Sequence, residues 1–99
     1  MITGPQCWAA RVLVEITVGR LASRSGVDRR VIEKFEQKLD EPEANVIRTL
    51  QKTLEDLGAV FIEENGGGAG VRLKFTRLDA KQISRMENEG GMPGSNTVP

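Results

Sequence analysis

The stretch from Thr17 to Lys38, TVGRLASRSGVDRRVIEKFEQK, constrains this chain most, because its punctuation suits two short helices meeting at a tight turn. Thr17 offers a hydroxyl as an N-cap, and Leu21 with Ala22 gives the first helix an inward face. Gly26 comes four residues after Ala22 and six before Ile32. Lacking a Cβ, it can take the left-handed conformation that a sharp helix-to-helix connection needs, while the small Ala22 lets the helices cross closely. Asp28 is a second N-cap. Val27, Val31, Ile32 and Phe35 then fall on one face of the second helix, with Arg29, Arg30, Glu33 and Lys34 on the other.

An exposed helix that opens with two arginines and is held by a buried neighbour has the form of a helix lying in the DNA major groove. Through Leu21, Ala22, Gly26, Val27, Ile32, Phe35 and Glu36 the chain resembles the lambda-repressor-like family of helix-turn-helix regulators, also called the Cro/repressor or xenobiotic-response-element family, over roughly residues 3–62. Any helical pair needs a small residue, a glycine turn and an apolar stripe, but the joint match at these positions favours the motif. The resemblance implies a mainly α fold: a four- to five-helix lambda-repressor-like helix-turn-helix domain with a C-terminal β-hairpin.

The resemblance also implies roles. Asp28, Arg29, Arg30, Glu33 and Lys34 stand where such proteins read bases, and Thr17, Val18, Arg20 and Lys38 where they hold phosphate. Arginine suits the first task because its fork reaches guanine O6 and N7 together. Lys34 reaches a base edge or a phosphate, and Glu33 either accepts from cytosine or steers an arginine. Helix N-termini favour anions, which suits the start of the first helix of the pair. Three positions depart from the family pattern. Val18 replaces a usual glutamine, Asp28 a usual uncharged small cap, and Lys38 a common glycine.

Ninety-nine residues suit one domain with a small core, and an enzyme pocket is hard to fit. The formal charge is zero, so the argument rests on where charge sits. From Thr17 to Lys38 six basic side chains stand against three acidic ones. From Asp40 to Glu64 seven acids stand against two bases, and from Val71 to Arg85 five bases against one acid. Alternating blocks suit a protein that meets phosphate with one face; an ordinary mixed surface produces such windows equally well.

Cys7 is the only cysteine and histidine is absent, which excludes an intramolecular disulfide and argues against structural zinc. No cofactor, metal site or catalytic cluster is indicated, so the chain is not expected to be an enzyme. A cytoplasmic location is expected, with neither an apolar membrane span nor a signal segment in view.

Taken in order, Pro5 suits the first turn of a helix running to about Ile16, with Ala9, Ala10, Leu13 and Ile16 inward and Arg11 and Glu15 outside. Trp8 fits this stripe poorly but is expected to pack, as large aromatics do in small cores. Asp40-Glu41-Pro42 is a loop. A helix from about Glu43 or Asn45 to Leu57 carries Val46, Ile47, Leu50, Leu54 and Leu57 on one stripe and stops at Gly58.

Two β-rich runs, 59–64 and 71–75, flank a glycine-rich loop and predict a hairpin. That loop lacks the Gly-Lys-Ser/Thr of a phosphate cradle. Residues 1–58 are thus expected as the helical DNA-binding domain and 59–77 as the hairpin. Residues 78–99 are expected as a marginal helix around Ile83 and Met86 followed by a tail without order.

An isolated hairpin is marginal in water, so Val60, Phe61, Ile62, Val71, Leu73 and Phe75 are expected to dimerise the protein, the alternative being a hairpin folded back on its own helices. Two readings of function remain. One is a homodimeric transcriptional regulator, a repressor or autoregulator, reading a palindromic operator in double-stranded DNA. The other is a protein-interaction regulator on the same fold, an antiactivator or antitoxin, whose partner is another regulatory protein.

Overall fold

A computed structural model of the protein describes residues 1–75. It is mainly helical, with four helices followed by a two-stranded antiparallel hairpin. The helices are α1 (Gly4–Leu13), α2 (Val18–Ser25), α3 (Arg29–Glu36) and α4 (Ala44–Asp56), and the strands are β1 (Ala59–Ile62) and β2 (Gly70–Leu73). The helix and the tail expected beyond residue 77 lie outside the described residues.

The punctuation of the central stretch is realised residue by residue. Thr17 caps α2 by accepting from Arg20 N–H at 3.1 Å. Gly26 ends it at φ 77°, its N–H donating to Ala22 O at 2.9 Å. Asp28 caps α3 by accepting from Arg30 N–H at 2.7 Å. Leu21, Ile32 and Phe35 are then buried with Ile47, Leu50 and Leu54 of α4, while Ala22, Val27 and Val46 pack at the margin. Gly58, at φ 111°, turns the chain from α4 into β1.

The first helix differs from its expected form. It stops at Leu13, capped by Val14, and Glu15 at φ 62° carries the chain out. Glu15 N–H donates to Val12 O and Ile16 N–H to Arg11 O, a Schellman closure built on a residue other than glycine. Its inward face is Gln6, Cys7 and Ala10, with Val14 at the margin, so that Ala9 and Leu13 face outward.

Trp8 is 51% exposed and does not pack as expected. Arg11, expected outside, turns in to Glu36: Nε donates to Oε2 and Nη2 to Oε1, both at 2.9 Å. Arg11 Nη1 also donates to Ile16 O at 3.2 Å, and the Cys7 thiol donates to Glu36 Oε2 at 3.6 Å. A pair this buried survives only because its donors and acceptors are matched in this way.

In the hairpin Ala59 faces Leu73, Val60 faces Arg72, Phe61 faces Val71 and Ile62 faces Gly70. Both strands are shorter than expected. Ala59, Phe61 and Val71 lie against the helical core, with Leu73 half-buried, so one face of the hairpin is covered by its own chain. The connecting loop is closed by Glu64, whose Oε2 accepts from Gly66 N–H at 3.2 Å and Gly68 N–H at 3.1 Å. No described helix is long and apolar enough to cross a membrane.

Candidate nucleic-acid interface

In the helix pair α2–α3 the first turn of α2 and the Arg29 side chain of α3 come together. Thr17 uses its hydroxyl on Arg20 N–H, and the N–H groups of Val18 and Gly19 belong to the first turn, which helical carbonyls do not satisfy. An anion has two reasons to sit there, the oriented donors and the helix dipole. Val18 contributes only backbone to this point, since its half-buried side chain packs against the core. Arg20 is exposed one turn on.

The start of α3 follows the Gly26 turn at the other end of α2. Arg29 and Arg30 are its first two residues, both exposed, and Lys34 is exposed one turn further. The Arg29 guanidinium reaches back over α2: its Nη1 lies 3.7 Å from where a Cβ on Gly19 would stand. Its Nε donates to Glu33 Oε2 at 3.1 Å. Of the two roles expected of Glu33, the contact present is the one to an arginine.

All three acids of this basic block are engaged. Asp28 caps α3, Glu33 holds Arg29 and Glu36 is buried against Arg11. The negative charge is thus tied into local contacts while Arg20, Arg24, Arg30, Lys34 and Lys38 are exposed.

Lys38 lies at the other end of α3, beyond its C-cap Gln37. Its φ is 62°, the left-handed region where glycine is at home. Lys38 N–H donates to Phe35 O at 3.1 Å and Leu39 N–H to Lys34 O at 2.8 Å, which closes α3 in a second Schellman turn. The backbone here is thus the one a glycine would give, and the lysine adds an exposed cation at some conformational cost.

Among the residues expected to dimerise, Phe61 and Val71 are spent on the intramolecular core, and Val60 and Leu73 are half-buried. Ile62 and Phe75 are exposed, and Lys74 Nζ lies 5.8 Å from the Phe75 ring centroid. The feature that sequence periodicity missed is on α1, where Trp8, Val12 and Leu13 form an exposed apolar strip with Ala9. Spacings of four between Trp8 and Val12, and between Ala9 and Leu13, carry the signal for it.

Among the described residues no group of three His, Cys, Asp or Glu side chains is placed to hold a metal ion. Compared by sequence, the chain matches no protein-family model and none of the curated proteins.

Proposed function

We propose that the protein is a lambda-repressor-like regulator that binds double-stranded DNA sequence-specifically, with α3 as its reading helix and the start of α2 as its phosphate clamp. The observation that carries this reading is the juxtaposition of Arg29 with the first turn of α2, beside an exposed Arg30 and on a block whose acids are all internally engaged. Phosphate contacts position such a protein, and arginine forks on guanine edges give it a sequence. Operators of this class are palindromic, so the protein acts as a homodimer whose two α3 helices meet half-sites about 34–36 Å apart. It represses, or regulates its own gene.

Footprinting on the DNA upstream of its own gene tests this. A protected inverted repeat is expected, lost in the Arg29→Ala, Arg30→Ala double variant while the thermal melt is unchanged. The logarithm of affinity should fall with the logarithm of salt concentration at a slope steeper than about −2. A shallower slope, or a footprint that survives the double substitution, refutes the assignment of α3.

One observation favours a second reading, a protein-interaction regulator on the same scaffold. The exposed Trp8, Val12 and Leu13 strip on α1 has the aromatic and aliphatic composition of an interface anchor. If Trp8→Ala removes the regulatory effect in cells while DNA binding in vitro is intact, the partner reading gains.

A further inference from the structure

Arg29 is held at one end and open at the other. Its Nε is occupied by Glu33 Oε2, one turn along α3, at 3.1 Å. Its Nη1 lies over Gly19, 3.7 Å from where a Cβ would stand, and Thr17 Oγ1 lies 3.9 Å from the same point. With Nε taken, the donors that remain are the terminal Nη1 and Nη2, the fork that faces guanine O6 and N7 end-on.

An exposed pair at this spacing contributes little to stability, because solvent screens it and both side chains are mobile. Its effect is directional. It limits the rotamers of a long side chain that otherwise swings to any neighbouring phosphate. It also sets a negative charge beside the DNA surface, which lowers affinity for every sequence alike.

We infer that Glu33 is a positioning residue for specificity: it holds Arg29 so that the fork reads one guanine per half-site, at the base pair beside the phosphate clamped by the start of α2. This rests on the DNA-reading function proposed above. A residue with this role has an unusual signature, because its removal lowers discrimination while general affinity for DNA stays level or rises. A residue that merely stabilises α3 lowers both.

Selection from a randomised duplex library, run in parallel with the wild-type protein, Glu33→Ala, Glu33→Gln and Arg29→Ala, tests it. The wild type should enrich an inverted repeat with one guanine per half-site whose preference disappears in Arg29→Ala. In Glu33→Ala the preference at that base pair alone should fall by about fivefold or more, out of what one bidentate arginine contact supplies. Glu33→Gln, which keeps the acceptor and loses the charge, should retain part of it. Melting temperatures of both Glu33 variants should match the wild type. If Glu33→Ala keeps the wild-type preference at that position, or loses preference evenly across the site, the positioning role is wrong while DNA reading stands. If the wild type enriches no motif, the DNA-reading function falls and the inference with it.

Discussion

Gln6 reaches across the molecule to Gly70: its side-chain amide donates to the Gly70 carbonyl at 2.8 Å and to the Ile62 carbonyl at 3.3 Å. Ile62 and Gly70 face one another as the last pair of the hairpin, so one NH₂ group joins both strands to α1. The other end of the same amide accepts Thr3 N–H at 2.9 Å, and Gln6 N–H donates to Thr3 Oγ1 at 3.2 Å, closing a capping box. Gln6→Glu removes both donors and sets a carboxylate against two carbonyls. A loss of about 1–3 kcal/mol is expected, concentrated in the hairpin. Hydrogen exchange should show the amides of 59–73 released first, with those of α2 and α3 unchanged; uniform release would mean that Gln6 serves the whole core.

Two glycines predict opposite signs for the same substitution. A Cβ on Gly4 would overlap the Phe35 carbonyl, where α1 begins against the end of α3. Helix propensity favours alanine there by about 1 kcal/mol, but overpacking against backbone costs about 1–3 kcal/mol or more and wins. Gly4→Ala should therefore destabilise. At Gly19 the nearest atom is 3.7 Å away, an ordinary contact, so Gly19→Ala should stabilise by up to about 1 kcal/mol. Chemical denaturation of the two variants checks both signs.

Lys38 should show a trade between stability and binding. A left-handed residue other than glycine costs about 1–2 kcal/mol, partly offset because glycine is freer when unfolded. Lys38→Gly is expected to raise stability by about 0.5–1 kcal/mol in a denaturant titration and, on the function proposed here, to weaken DNA binding at low salt. A variant less stable than wild type would show that the lysine side chain contributes packing.

The elements that were legible in the sequence owe that to local chemistry. Thr17, Gly26, Asp28 and Gly58 each act on backbone within four residues of themselves, and the stripe of α4 repeats at helical spacing. The candidate site was legible for the same reason, since Arg29, Arg30 and Lys34 follow from the phase of α3. The face of α1 was not. Gln6 and Arg11 look like outer residues until their partners, 64 and 25 positions away, are known. Burying them turns Trp8, Ala9 and Leu13 outward. Periodicity assigns polar side chains to water and has no means of seeing a partner that distant in the chain.

Cys7 should be inert in the native protein. Burial first, then the negative Glu36 beside it, push its thiol from 9.0 up to about 12. The thiolate is the nucleophile, so alkylation at pH 8 should proceed only through unfolding and accelerate sharply in denaturant. The sign for stability follows. A thiol raised in the folded state favours folding fully below about 9, and that contribution is lost as pH rises toward 12. Urea midpoints should fall over this window more steeply in the wild type than in Cys7→Ala.

The last prediction concerns assembly, and the position of the only tryptophan makes it readable. The inner face of the hairpin is covered by its own helices, which removes Phe61 and Val71 from any interface. Each strand still has an edge with no strand beside it among the described residues, and Ile62, the last residue of β1, and Phe75, two residues past β2, are exposed. Edge-to-edge pairing of two hairpins would satisfy those backbone groups and, on the function proposed above, hold two α3 helices at a fixed separation. A homodimer formed this way should sediment as such at micromolar concentration and fall apart in the Ile62→Glu, Phe75→Glu variant. Trp8 on α1 is 51% exposed, so if only the strand edges pair its emission should remain that of a hydrated indole across the dilution series. A blue shift on association would move the interface to the Trp8, Val12 and Leu13 strip. A monomer throughout would count against the homodimeric reading of a palindromic operator proposed above.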